Sequence, residues 1–394
     1  MTTPSPPSAY IEGYAKARRY DAERADNYIR HTAIGDPPLD PVMEELASLP
    51  PADLHRFIKA GIDQDSEVLG TAPRVMREFF DKVDSENPPW FDYEAFRPGV
   101  RAFHLNATRV LVAFVTGVLI EGFSTLIAKS FATTGRVLNR STAKRRLMQN
   151  NRHLLEVFFP GGLRRNGDGW KLSMRLRFVH ARVRHLLANS GDWDHEAHGT
   201  PLHAAHLGLA TTVFSMRLLQ HAAAVGATFD QEEQESVMHV WRYTGHLMGV
   251  PEEMLFTDRA DAKEIFKVAH MCEPVPDQDS ATMANALVGA IPLTAGISDP
   301  DEQEAVIKLA YTLSRALIGH EMADQLQFPK IRTFGALFAY RMKQRFRALV
   351  RSKELLRSEN FCQLLEISAY DESQEAGMSY RMPDHVRASK SSPW

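Results

Sequence analysis

The chain has 394 residues, of which 44% are hydrophobic and 24% charged, with a formal net charge of −3. That balance excludes wholesale disorder, and a mildly acidic chain has no general attraction for a polyanion such as DNA. Its two cysteines, Cys272 and Cys362, are far apart, which excludes a disulfide scaffold, a CxxC zinc site, an iron–sulfur cluster and covalent attachment of a c-type haem.

In chain order, Met1–Pro7 is small, polar and proline-rich, and the stretch to Arg30 is charged. It has neither the basic and apolar regions of a secretory leader nor a twin-arginine signal, so a cytoplasmic address is expected. Residues 1–30 read as a loosely attached N-terminal arm, 31–370 as a single all-α domain and 371–394 as a polar C-terminal tail. Helical periodicity dominates, and alternating β-branched runs between turns are nearly missing. The expected helices are Ala9–His31, Asp40–Ala47, Ala52–Ile62, Ala72–Asp84, Tyr93–Ser130, Ser141–Glu156, Trp170–Ala188, Pro201–Val225, Gln231–Met248, Asp258–His270, Asp277–Leu293, Pro300–Leu317 and Arg332–Leu356. Ser141, Asp230 and Asp299 supply start signals; Gly191 and Gly226 supply stops. The glycine-rich stretch Pro160–Gly169 reads as a surface loop.

Val110–Ile127 (VLVAFVTGVLIEGFSTLI) is about long enough to cross a bilayer. Glu121, Ser124 and two glycines interrupt it, so it reads as a buried helix.

Trp170–Leu187 (WKLSMRLRFVHARVRHLL) carries the chemistry. Leu172, Leu176, Val179, Val183, Leu186 and Leu187 form one stripe, and His180 borders it. Arg177 and Arg184 flank His180 at −3 and +4 on the same face. Two guanidinium groups favour a neutral imidazole, the form that binds a metal, and they require anions. The propionates of a haem or carboxylates from another helix would both serve. Spacing alone leaves a haem ligand and a hydrogen-bonded core histidine both open.

RFVHARVR, then GDWD, HGTPLHAAHLGLATTVFS and VWRYTGHLMGVPEEML, in that order, resemble the rubber-oxygenase family, the latex-clearing proteins and their MpaB-type relatives, over roughly Gly122 to Leu255. The resemblance implies an all-α, globin-like core holding a non-covalent haem b, with His180 as proximal iron ligand. Enzymes of this family use dioxygen to cleave carbon–carbon double bonds of isoprenoid chains. The family's two motif arginines map onto Arg177 and Arg184, and its threonine in the next helix onto Thr212, as cofactor-binding residues. Its distal Arg-x-x-Lys-Thr element corresponds to Arg146, Gln149 and Asn150, so the lysine and threonine are replaced. Ser130 stands where rubber oxygenases carry a glutamate. The implied function is a haem b-dependent oxygenase acting on an apolar, isoprenoid-like alkene with O2. A haem-binding or gas-sensing protein without turnover is the alternative that these departures suggest. Val110–Ile127 and Leu207–Phe214 would line the haem slot.

His195, His198, His203 and His206 cluster in sequence and raise a third possibility, a non-haem metal enzyme. HExxH and paired E-x-x-H motifs are missing, however, and a polar loop with incidental histidines accounts for them. No G-x-S-x-G, GxGxxG or P-loop is present. The late segment Arg341–Lys353 (RMKQRFRALVRSK) is basic and amphipathic; it suits an anionic membrane surface or an acidic partner, and a solvated face is the simpler expectation.

Overall fold

The computed structural model describes residues 3–135, 140–350, 367 and 382–390, and every regular element among them is helical. Most expected helices form, and those that break do so for local reasons. Asp21 leaves the helical conformation (φ −149°) and its carboxylate accepts from the Arg24 N–H at 3.0 Å, which divides Ala9–His31 into Ile11–Tyr20 and Ala22–His31 after a 3-10 turn at Ser8–Tyr10. The expected Tyr93–Ser130 helix breaks at Asn106. Its Nδ2 donates to the carbonyls of Ala102 and Thr228, and its Oδ1 accepts from the Thr228 N–H. A side chain that bonds the backbone of another loop competes with helix continuation, and the axis turns by 88° between Glu94–Leu105 and Ala107–Gly122.

The N-terminal segment is not a loose arm. Tyr10, Ala17, Ala25 and Tyr28 are buried, and Gly13 crosses the end of the Arg259–Cys272 helix so closely that a Cβ would lie 2.4 Å from the Cys272 carbonyl oxygen. The apolar positions of both short helices meet the core, which the charge-rich appearance of the segment conceals. Of the expected tail, residues 371–381 and 391–394 lie outside the described residues. Within 382–390, Arg387 donates to the Thr133 carbonyl (2.6 Å) and the Pro383 carbonyl accepts from Arg182 (3.1 Å).

At the centre lies the Asp168–Ala188 helix, buried nearly all round, with Trp170, Met174, Phe178 and Leu187 packed among neighbours. It runs beside the Arg140–Val157 helix. The Ala107–Gly122 helix and the one beginning at Ala204 each contain one wide i→i+5 turn, at Phe114–Val118 and Val213–Arg217. Such turns cluster at functional sites because they swing side chains out of helical register. Gly117 allows the close approach here: a Cβ would sit 2.7 Å from the His221 ring.

Glu121, the charge that interrupted the apolar stretch, is buried between these two helices. It accepts from Arg217 Nε at 2.9 Å and from Arg217 Nη2, and lies 3.2 Å from His221 Nε2. Burial pushes its carboxyl up, but His221 and Arg217 more than offset this and hold it at about 2. Among the described residues no single helix is long and apolar enough to cross a membrane; the bent pair Glu94–Leu105 and Ala107–Gly122 meets the length and composition only jointly.

Candidate active site

Leu176 and His180 project from the central helix, one turn apart, into an apolar crevice with a cavity volume of about 120 Å3. That is smaller than the roughly 300–1,000 Å3 of small-molecule and cofactor pockets, so its walls must part to admit a large ligand. From the neighbouring helix come Arg146, Asn150 and His153, whose i, i+4, i+7 spacing puts them on one face. Leu207, Ala210, Thr211 and Phe214 form another wall, and Trp241, Thr244, Gly245 and Met248 a further one. Leu119, Gly122, Phe123 and Ile127 close the remaining side, so both segments expected to line a slot do so. Gly122 leaves real space: a Cβ there would meet only Phe214, at 3.9 Å.

The imidazole of His180 is neutral. Burial, then the Arg184 and Arg146 cations, then His153, pull its pKa down to about 3. Its Nδ1 is buried without a hydrogen-bond partner in the protein, as are Asn150 Nδ2 and Trp241 Nε1. Buried polar atoms are nearly always bonded, so three such atoms on residues lining one crevice mark a place built for something besides protein. His153 differs: burial holds its pKa at about 4, and Nε2 lies 2.8 Å from Ser173 Oγ. Ser173 in turn donates to the Gly169 carbonyl at 2.7 Å. With that hydrogen spent, Ser173 Oγ accepts from Nε2–H, which fixes the tautomer.

The flanking arginines do not line the crevice. Arg177 makes a bidentate pair with Asp36, Nε to Oδ2 at 2.6 Å and Nη2 to Oδ1 at 2.7 Å, with both side chains buried. Arg184 grips Asp40, Nε to Oδ2 at 2.8 Å, and donates to the Leu202 carbonyl at 3.0 Å. Their anions are therefore carboxylates of the 36–40 turn, and the expectation that they bind cofactor propionates is corrected. They hold the helix that carries His180.

Thr212 is corrected too. It is fully buried, donates to the Leu209 carbonyl (2.7 Å) and faces away; its neighbour Thr211 lines the crevice instead. Helical spacing of 100° per residue turns adjacent positions to different faces. By the same geometry Asn150 lines the crevice and Gln149 does not. Arg146 does line it, its guanidinium carbon 4.1 Å from the Phe131 ring centroid. Ser130 is buried, and its hydroxyl oxygen has no partner within the protein. His153 and Trp241 were not singled out as site residues from sequence; the 146–150–153 spacing was the available signal for His153.

The histidine cluster disperses. His195 is exposed, half-buried His198 stacks edge-on to Trp193, and His203 stacks on His206 at 3.7 Å in a separate buried network. There Tyr10 OH lies 3.0 Å from His203 Nε2, while Glu273 accepts from Tyr28 OH at 2.6 Å and from the Leu126 N–H at 3.1 Å. Among the described residues no three His, Cys, Asp or Glu side chains are placed to hold a metal ion.

Comparison with known proteins places this arrangement. Rubber oxygenase from a Streptomyces species is 23% identical over 287 residues, covering 70% of this chain and 66% of that protein, just under two thirds of its length. The solved structure of a latex clearing protein in the closed state superposes with a TM-score of 0.66 at 19% identity, over 90% of this chain and 94% of that one, which establishes a shared all-helical fold. Residues 101–352 match the family described as the catalytic domain of ER-bound oxygenase mpaB/B′ and rubber oxygenase. That match takes in every crevice-lining residue, from Leu119 to Val250, and runs well past half of the chain: the chain belongs to the mpaB/rubber-oxygenase family of oxygenases.

Proposed function

We propose that the chain is a haem b-dependent oxygenase that uses dioxygen to cleave or oxidise a carbon–carbon double bond of an apolar, isoprenoid-like substrate. The observation that carries this reading is His180: a neutral imidazole with an unpartnered nitrogen, set in the wall of a largely apolar crevice. The donor set fits a haem, which needs an apolar slot and one strong axial donor. A haem bound there would supply the activation of dioxygen.

The protein's own part is positional. The Arg177–Asp36 and Arg184–Asp40 pairs fix the rotation of the helix that presents His180. Arg146 brings a cation, and Asn150 an unpartnered N–H donor, to the same crevice; such donors stabilise negative charge that develops on oxygen in a dry site. Leu119, Phe123, Leu207 and Phe214 exclude water and offer an extended alkene the surface it prefers.

The test is an ultraviolet–visible spectrum of the purified protein, as isolated and after addition of hemin. A Soret band that is lost in His180→Ala, with far-ultraviolet circular dichroism unchanged, is expected. A wild-type protein that is colourless and takes up no hemin ends the reading. A second reading, haem binding without turnover, is favoured by one observation: no carboxylate stands among the crevice-lining residues. Oxygen consumption in the presence of an isoprenoid alkene separates the two.

A further inference from the structure

The Ala336–Val350 helix lies on the surface, far along the chain from the crevice residues. Its inner side is anchored: Leu337 and Tyr340 pack on the core, and Arg341 lies across Gly226, where a Cβ would come within 3.2 Å of its side-chain carbons. Its outer side is the unusual part. Phe338, Met342 and Phe346 are 61%, 45% and 67% exposed, and Phe334, just before the helix, is fully exposed. Spacing of four residues places the three helical ones in a stripe about 80° wide at 100° per residue. Among the described residues ten large apolar side chains are exposed, and these three with Phe334 are four of them, gathered on one short stretch. An exposed apolar cluster of this kind marks a docking surface.

Charge identifies what docks. From Leu326 to Lys353 the sequence carries eight lysines and arginines and no aspartate or glutamate, in a chain whose net charge is −3. Lys343 and Arg345, which flank the apolar stripe by helical spacing, are exposed, as are Lys330 and Arg332 shortly before the helix. A protein partner matched to phenylalanines alone would not call for a cationic rim. Aromatic side chains bordered by lysine and arginine are the pattern of a helix that lies in the plane of an anionic lipid surface, burying its apolar face at the acyl boundary while the cations meet the head groups.

We propose that this helix docks the protein onto an anionic phospholipid surface, through Phe334, Phe338, Met342 and Phe346 with the surrounding lysines and arginines. The contact is peripheral and separate from the crevice, so it stands or falls apart from the haem reading.

The experiment is co-sedimentation of the full chain with vesicles of phosphatidylcholine, alone or with phosphatidylglycerol, at low and high salt. Binding is expected only with phosphatidylglycerol, and weaker at high salt. The doubly reversed Lys343→Glu, Arg345→Glu chain is expected to partition at least about tenfold less well, and Phe338→Ser with Phe346→Ser to lose binding while circular dichroism stays unchanged. A Phe338→Cys probe, in a Cys362→Ser background, reacts quickly with a maleimide in free protein and slowly once vesicles are added. Three results would overturn the proposal: no binding to phosphatidylglycerol vesicles at low salt, binding that the charge and phenylalanine variants leave unchanged, or a probe already protected without vesicles. The last would mean that a second copy or another part of this chain covers the face, and dimer-sized elution that Phe338→Ser abolishes would assign it to the second copy.

Discussion

Arg177→Met separates the two roles that its position suggests. The guanidinium and the Asp36 carboxylate form two parallel hydrogen bonds of 2.6 and 2.7 Å, with side chains 8% and 1% exposed. Methionine keeps much of the volume and removes the charge, which strands a buried carboxylate. Breaking a buried pair from one side costs about 3–5 kcal/mol, mostly the desolvation of the partner left behind. For 394 residues the unfolding entropy near the midpoint is about 0.8 kcal/mol/K, so a loss of about 4 kcal/mol lowers Tm by about 5 °C. Asp36→Asn in the same background leaves no unpaired charge, and the double variant is expected to recover part of the loss. Urea unfolding followed by circular dichroism, without added hemin, gives all four corners of the cycle. Two outcomes would refute the reasoning. One is a single variant within about 1 kcal/mol of wild type whose only defect is weaker hemin uptake, the mark of an arginine that serves a ligand. The other is a double variant that costs the sum of the two singles, which would mean the residues do not act as a pair.

Two further expectations follow from the crevice. Gly122→Leu projects into space where a Cβ meets only Phe214 at 3.9 Å. It should leave the urea midpoint nearly unchanged while abolishing ligand uptake and oxygen consumption; full uptake would show that the crevice is not the binding site. Acid should destabilise the fold before any carboxylate titrates. The unfolded chain protonates His180 and His153 near 6.5, whereas the folded chain keeps them neutral down to about 3 and about 4. Each therefore withdraws up to about 1.4 kcal/mol per pH unit as pH falls below 6.5. Glu121, held at about 2, adds a loss only below about 4.5. A urea midpoint that stays constant from pH 7 to pH 5, or a slope in His153→Gln identical to wild type, would contradict this.

What the sequence determined by itself is everything that depends on local periodicity and order. The all-helical class, the caps at Asp230 and Asp299 and the place of His180 at the edge of an apolar stripe are legible because a helix stripe and a capping side chain occupy neighbouring positions. The same holds for Asp21, whose capping of the Arg24 N–H is local and could have been read as a break. The partners of Arg177 and Arg184 were not legible: Asp36 and Asp40 lie 141 and 144 positions away, and no spacing rule connects them to the central helix. The tight docking of Tyr10 and Tyr28 was hidden for the same reason, since His203 and Glu273 are remote in sequence. Thr211 against Thr212, and Asn150 against Gln149, turned on 100° of helix rotation, which is set by packing against neighbours. Tertiary structure decided which charges were satisfied internally, and so which polar atoms were left for a ligand.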